Sequence, residues 1–141
     1  MTFEELAEKL PNGFHDSKIR EIKVDFVARS VSVCMDLLVG LPHTSTPEGY
    51  RAGTLKLEPT YLFFIEPPDP AYDFIPNGSP LSASGNSVKV GGDTKIDSLL
   101  SVLPANAAVY LFFLDNWNSY LYLAGGEVVF SWDDGAVLDA C

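Results

Sequence analysis

Between Ile22 and Val39 apolar and polar residues alternate with a period of two, a spacing that a helix of about 3.6 residues per turn cannot place on one face. Ile22, Val24 and Phe26 fall on one side, with Lys23 and Asp25 on the other. Val27-Ala28-Arg29-Ser30 lets the chain reverse, and Val31, Val33, Met35, Leu37 and Val39 then share a face opposite Ser32, Cys34 and Asp36. The pattern predicts an antiparallel hairpin with one buried and one solvated face. Neither Asn-Gly nor Asp-Gly stands at the reversal, so the turn type is left open.

The remaining segments are read around this hairpin. Thr2 and Glu5 have capping-box spacing, and Phe3, Leu6 and Leu10 recur at helical intervals before Pro11-Asn12-Gly13, which predicts a short helix covering an edge or end of a sheet. Residues Leu41 to Gly49, which include His43, read as a loop. Leu55 and Leu57 alternate with Thr54, Lys56 and Glu58 in a predicted strand over Gly53 to Glu58, and Pro59-Thr60 interrupts it. Tyr61-Leu62-Phe63-Phe64-Ile65 and Val109-Tyr110-Leu111-Phe112-Phe113-Leu114 are continuous apolar runs, the pattern of central strands covered on both faces and of possible neighbours.

Between them, Glu66 to Asp73 carries three prolines and reads as an irregular loop. Pro76 to Asp93 is rich in Gly, Ser, Asn and Pro, with Val88-Lys89-Val90 as its one brief strand. Thr94 and Asp97 repeat the capping-box spacing ahead of a stripe formed by Ile96, Leu99, Leu100 and Leu103, a second short helix. Tyr120 to Ala124 and Val128 to Trp132 flank Gly125-Gly126 and read as a second hairpin. The fold class that follows is mainly β (α+β): an antiparallel sandwich or partly open barrel of about seven or eight strands, with two short peripheral helices, in a single domain over residues 1–141.

A chain of 141 residues can bury roughly 68–70% of its unfolded surface. With 47% hydrophobic and 12% aromatic residues it has the material for a packed core. Nine basic against nineteen acidic residues give a net charge of −10. That charge repels nucleic acid and anionic membrane surfaces and suits a basic protein partner. Phe3-Glu4-Glu5 near the start is unlike a secretory signal, no run of about eighteen apolar residues occurs, and a cytoplasmic location is expected. Cys34 and Cys141 read as free thiols.

The candidate site residues are polar groups near expected loops. His15 and Asp16 pair a titratable imidazole with a carboxylate, which suits acid–base work or a pH-sensitive contact, although adjacent residues on an extended segment point apart and a backbone-bracing role competes. Glu66, Asp69 and Asp73, with Asp115, Asp133 and Asp134, would suit a hard cation if they converged, yet none follows the order of an EF-hand loop. Gly91-Gly92-Asp93 ahead of a helix offers amides to an anion. Trp117 sits in a polar turn near Tyr120, Tyr122 and Trp132 and is the candidate aromatic contact for a partner. No nucleophile elbow, Walker loop, dinucleotide fingerprint or zinc spacing is present, so no cofactor, no metal and no catalytic residue is expected.

Leu10-Pro11-Asn12-Gly13-Phe14-His15-Asp16, followed by a charged strand, a turn with Arg29 and an alternating strand, resembles the start of small uncharacterised bacterial proteins that share a Phe-His-Asp motif. Some of these are similar to immunity proteins of polymorphic toxin systems. The likeness covers residues 1 to about 40 and implies a protein partner without supplying catalytic residues. Three readings stand at this point. One is a non-enzymatic cytoplasmic binding module, possible as an immunity-type protein. Another is an enzymatic or ligand-binding domain sited at His15, Asp16 and the 66–73 loop. The last is a homo-oligomeric structural subunit.

Overall fold

The alternation of residues 22 to 39 builds the hairpin expected of it, β1 (Ser17–Asp25) paired antiparallel with β2 (Ser30–Leu38). The computed structural model describes residues 1–40, 49–72, 80–87 and 96–135. Around the hairpin stand α1 (Phe3–Glu8), β3 (Tyr50–Ile65), β4 (Leu81–Ser87), α2 (Asp97–Leu100), β5 (Ala108–Leu114) and β6 (Ser119–Trp132). Every strand pairs antiparallel with its neighbours, and the order β1-β2-β3-β6-β5-β4 closes on itself through Ser17↔Ala83 and Ile19↔Leu81. The fold is mainly β, as the alternation implies, and the sheet is a closed barrel.

Six strands are described where about seven or eight were expected, because two expected interruptions are absorbed into long strands. Pro59 does not end β3. The ladder with β2 stops at Leu57, so no partner on that side needs an N–H from Pro59, and a bulge between Thr60 and Leu62 resets the pairing with β6. Gly125-Gly126 likewise does not reverse the chain. β6 runs straight through, and its inward face changes from Leu121 and Leu123 to Val128, Phe130 and Trp132 across the glycines. Consequently β3 and β5 are not neighbours; β6 lies between them.

Strand β4 fills a stretch read as a loop. Its serines and Gly85 hide a strand whose inner face must be small, because an added Cβ at Gly85 would stand 2.3 Å from Cε1 of Tyr110. Val88 to Val90, where the brief strand was expected, lie outside the described residues, as do His43 and Thr94. Helix α2 is a single turn whose N-cap, Ile96, makes no side-chain capping bond.

Helix α1 plugs one end of the barrel. The Thr2 hydroxyl accepts from the Glu5 amide at 3.2 Å, and the Glu5 carboxylate accepts from the Thr2 amide at 2.8 Å, completing the capping box. Phe3, Leu6, Leu10 and Phe14 enter one core with Val33, Met35, Leu55, Leu57, Phe112 and Phe130. Phe3 stacks on Tyr110 with centroids 4.5 Å apart, and Phe14 meets Tyr110 edge-on at 5.6 Å. Each fully buried side chain of this kind contributes about 1.5–3 kcal/mol. Asn12 fastens the plug by donating to the carbonyls of Leu38 and Gly40 at 2.8 and 3.0 Å.

A smaller cluster lies outside the barrel wall. Ile96 and Leu100 cover Tyr122, with Leu62, Val109 and Leu111 packed beside them. Leu99, expected on the same stripe, faces solvent because the single turn presents only one side to the wall.

Candidate partner-binding surface

The end of the barrel opposite α1 is left open by strand length. β1 pairs with β4 only as far as Ile19, whereas its ladder with β2 continues to Asp25; β3 continues past Leu57, where β2 has ended, to Ile65 on β6 alone. Two arms therefore border the opening: the projecting β1–β2 hairpin, and the end of β3 carried on β6, whose other side pairs with β5. At the tip of the first arm Asp25 accepts the amides of Val27 and Ala28, each at 2.9 Å, and Arg29 takes a left-handed φ of 52°. The tip is tied to β3 by the Thr60 amide, which donates to the Arg29 carbonyl at 2.7 Å.

This geometry corrects the sequence reading of Phe26. The turn is Phe26 to Arg29, one residue earlier than expected, and Phe26 leaves the buried face to stand 88% exposed beside Val27 at 99%. Asp25 supplies the reason, since its side chain closes the turn immediately after itself. Behind the tip a groove of about 380 Å³ is lined by Val24, Phe26, Val31, Tyr61, Leu62 and Phe63, with Asp25, Arg29, Ser30 and Thr60 as its polar groups. A second recess, of about 260 Å³, opens at the barrel mouth between Ile19, Ile22, Ile65, Leu81, Leu114, Trp117 and Leu121.

The run Tyr61 to Ile65 is not covered on both faces as expected: adjacent residues of a strand point to opposite faces, and here both members of one such pair are exposed. Phe63 and Phe64 are 37% and 38% exposed. Phe64 continues onto the outer wall in an aromatic row with Tyr122, Tyr120 and Phe113, at centroid separations of 5.9, 6.0 and 5.2 Å. An exposed apolar rim thus runs from Phe26 and Val27 across the groove to Phe63 and Phe64, and ends there because Tyr122, the next ring of the row, is buried under Ile96 and Leu100. Contiguous exposed apolar surface of this kind marks contact with a partner more often than isolated exposed residues do.

The polar candidates fall elsewhere. His15 and Asp16 are exposed and precede β1; the His15 amide donates to the Asn12 carbonyl, and the Asp16 amide approaches the Ser84 hydroxyl at 3.4 Å. Asp16 faces Asp115, whose carboxyl is raised above its ordinary value first by burial and then by the Asp16 charge. Glu66 is buried after β3, and its amide donates to the Tyr120 carbonyl. Asp69 accepts from the Ala71 amide at 2.9 Å and from the Asn118 side chain at 3.0 Å. Asp73 lies outside the described residues, as do Gly91 to Asp93 and Cys141.

None of His15, Asp16, Glu66 and Asp69 lines either recess. Trp117 does line the mouth, half-buried against the core, while Tyr122 and Trp132 are buried.

Asp133 and Asp134 are engaged by cations. Arg20 bridges Asp36 at 3.1 Å and Asp133 at 3.4 Å, and Arg51 pairs with Asp134 while lying over the Trp132 ring at 4.3 Å. Among the described residues no group of three or more His, Cys, Asp or Glu side chains is placed to hold a metal ion, and no helix is long and apolar enough to cross a membrane. The sequence reading missed the tip and the groove. The signal was there in Asp25, a side chain that starts turns, placed just before two apolar residues. Compared with protein-family models, curated proteins and solved structures, the chain matches none.

Proposed function

We propose that the protein is a non-enzymatic, cytoplasmic binding module that holds a basic protein partner against the open rim of its barrel, in the manner of an immunity protein. The observation that carries this reading is the exposure of Phe26 and Val27 beside an apolar groove that is already formed. An aromatic anchor at the centre of a contact, with polar groups around it, is how a small surface gives affinity. The net charge of −10 speeds encounter with a basic partner. The enzymatic reading has less support, because the histidine–carboxylate pair lies away from both recesses.

A photo-crosslinking residue at position 26 in the native host, compared with one at exposed Val102 after α2, tests the reading. The partner is expected to be captured at 26 and not at 102. Co-expression of the captured protein with this chain should relieve its toxicity, and Phe26→Asp should abolish that relief. Equal capture at both positions, or full protection by Phe26→Asp, sinks the proposal.

A further inference from the structure

We propose that the free edge of β1 is a self-docking surface, on which a second copy of this chain adds its own β1 antiparallel about a two-fold axis at Ile22. Beyond Ile19, among the described residues, β1 has a strand neighbour on one side only. In an antiparallel ladder alternate residues turn their N–H and C=O groups to each side, so past the bulge at Arg20 the stretch from Glu21 to Asp25 presents unpaired backbone groups outward. A continuous barrel edge of this kind accepts another strand.

The side chains select both the occupant and the register. With Ile22 opposite Ile22 of the second copy, Glu21 faces Lys23 of that copy and Lys23 faces its Glu21, so both charges are matched twice by symmetry. Glu21 and Lys23 already lie on one face, 3.6 Å apart and with their side chains 58% and 63% exposed, and can exchange that contact for one between copies. A shift to centre the axis on Lys23 sets Lys23 against Lys23 and Glu21 against Asp25. A shift to centre it on Glu21 sets Glu21 against Glu21 and runs into Ile19, which Leu81 already occupies. Registers between these place apolar Ile22 on the face of Lys23. A shift to centre the axis on Val24 sets Lys23 against Asp25, but that carboxylate already holds the Val27 and Ala28 amides, so the Ile22-centred register is the one that leaves both charges free to pair across the copies.

The regularly paired stretch is Glu21 to Lys23 of each copy, because the bulge at Arg20 ends the regular ladder there. A ladder this short buries less than the roughly 800 Å² per partner of a standard stable interface, so a weak dimer, on the order of micromolar, is expected. The inference goes beyond the partner-binding reading and does not depend on it, since the residues that decide it are Glu21 and Lys23 and not Phe26.

Sedimentation velocity over a concentration series tests it with Glu21→Lys, Lys23→Glu, their equimolar mixture and the double variant. Each single variant is expected to weaken self-association about tenfold or more. The mixture should form a heterodimer and the double variant should recover dimerisation. If net charge alone governed association, Glu21→Lys would strengthen it, because that change lowers the mutual repulsion of two acidic copies. Circular dichroism confirms that these exposed positions leave the fold intact. A wild-type chain that stays monomeric throughout, single variants that dimerise like wild type, or a mixture that does not pair would overturn the proposal.

Discussion

Replacing Gly85 with alanine has an expected outcome whose sign depends on the packing inside the barrel. At an ordinary strand glycine the substitution stabilises a protein by about 0.4–1 kcal/mol through the unfolded chain. Here the new methyl group would lie 2.3 Å from Cε1 of Tyr110 and 2.9 Å from Cε1 of Phe112. Tyr110 cannot swing aside, because Phe3 stacks on one face of it and Phe14 and Phe112 abut it edge-on. Overpacking of a held core costs about 1–3 kcal/mol, and approaches this close to held rings belong to the upper part of that range, roughly 2–3, which leaves a net loss of about 1–2.5 kcal/mol after the entropic gain. For a chain of this size that lowers Tm by roughly 3–7 °C.

Urea unfolding at constant slope measures the loss, and combining Gly85→Ala with Phe3→Ala, which frees space beside Tyr110, should make the two costs less than additive. A Gly85→Ala protein as stable as wild type, or more stable, would show that the Tyr110 ring does not lie across β4 and that the α1 plug is wrongly placed.

Three further outcomes are expected. Burial, and then the Glu4 charge, push the Tyr110 phenol up to about 12 from its ordinary 10, so ionisation favours the unfolded chain. The stability this group contributes is intact below pH 10 and is lost as pH rises toward 12, and the wild-type minus Tyr110→Phe difference in urea midpoint should fall over that window. Thr2→Ala removes the cap of α1 and should cost about 0.5–2 kcal/mol in thermal or urea unfolding. Phe26→Asp, at a position 88% exposed, should leave stability within about 0.5 kcal/mol of wild type in the same assay.

How much of this structure is legible in the sequence varies with what each signal measures. Alternation reports one buried face, so Val31 to Leu37 read correctly, and the capping box placed α1 because both of its partners are local. Proline and glycine were read as breaks at Pro59 and at Gly125-Gly126, but their effect depends on which neighbour needs the missing N–H or the missing Cβ. Strand β4 was invisible since its glycine answers to an aromatic ring about 25 residues away in sequence, information no local window holds.

The candidate site divides in the same way. Trp117 and the acidic loop residues could be picked out by type. Whether they share a recess depends on where β1, β3 and β5 end relative to one another, and that is set by barrel closure. Phe26 carried the wrong sign because an alternating pattern was extended one residue past Asp25, whose side chain ends the strand.

The central claim is that the rim around Phe26 is the surface by which the protein holds its partner. Calorimetric titration of the purified partner into wild type and Phe26→Asp, the two being equally folded, tests it most directly. A loss of about 2 kcal/mol or more in binding free energy, the cost of removing an anchor residue, is the expected result. Equal affinity for the two proteins would contradict it.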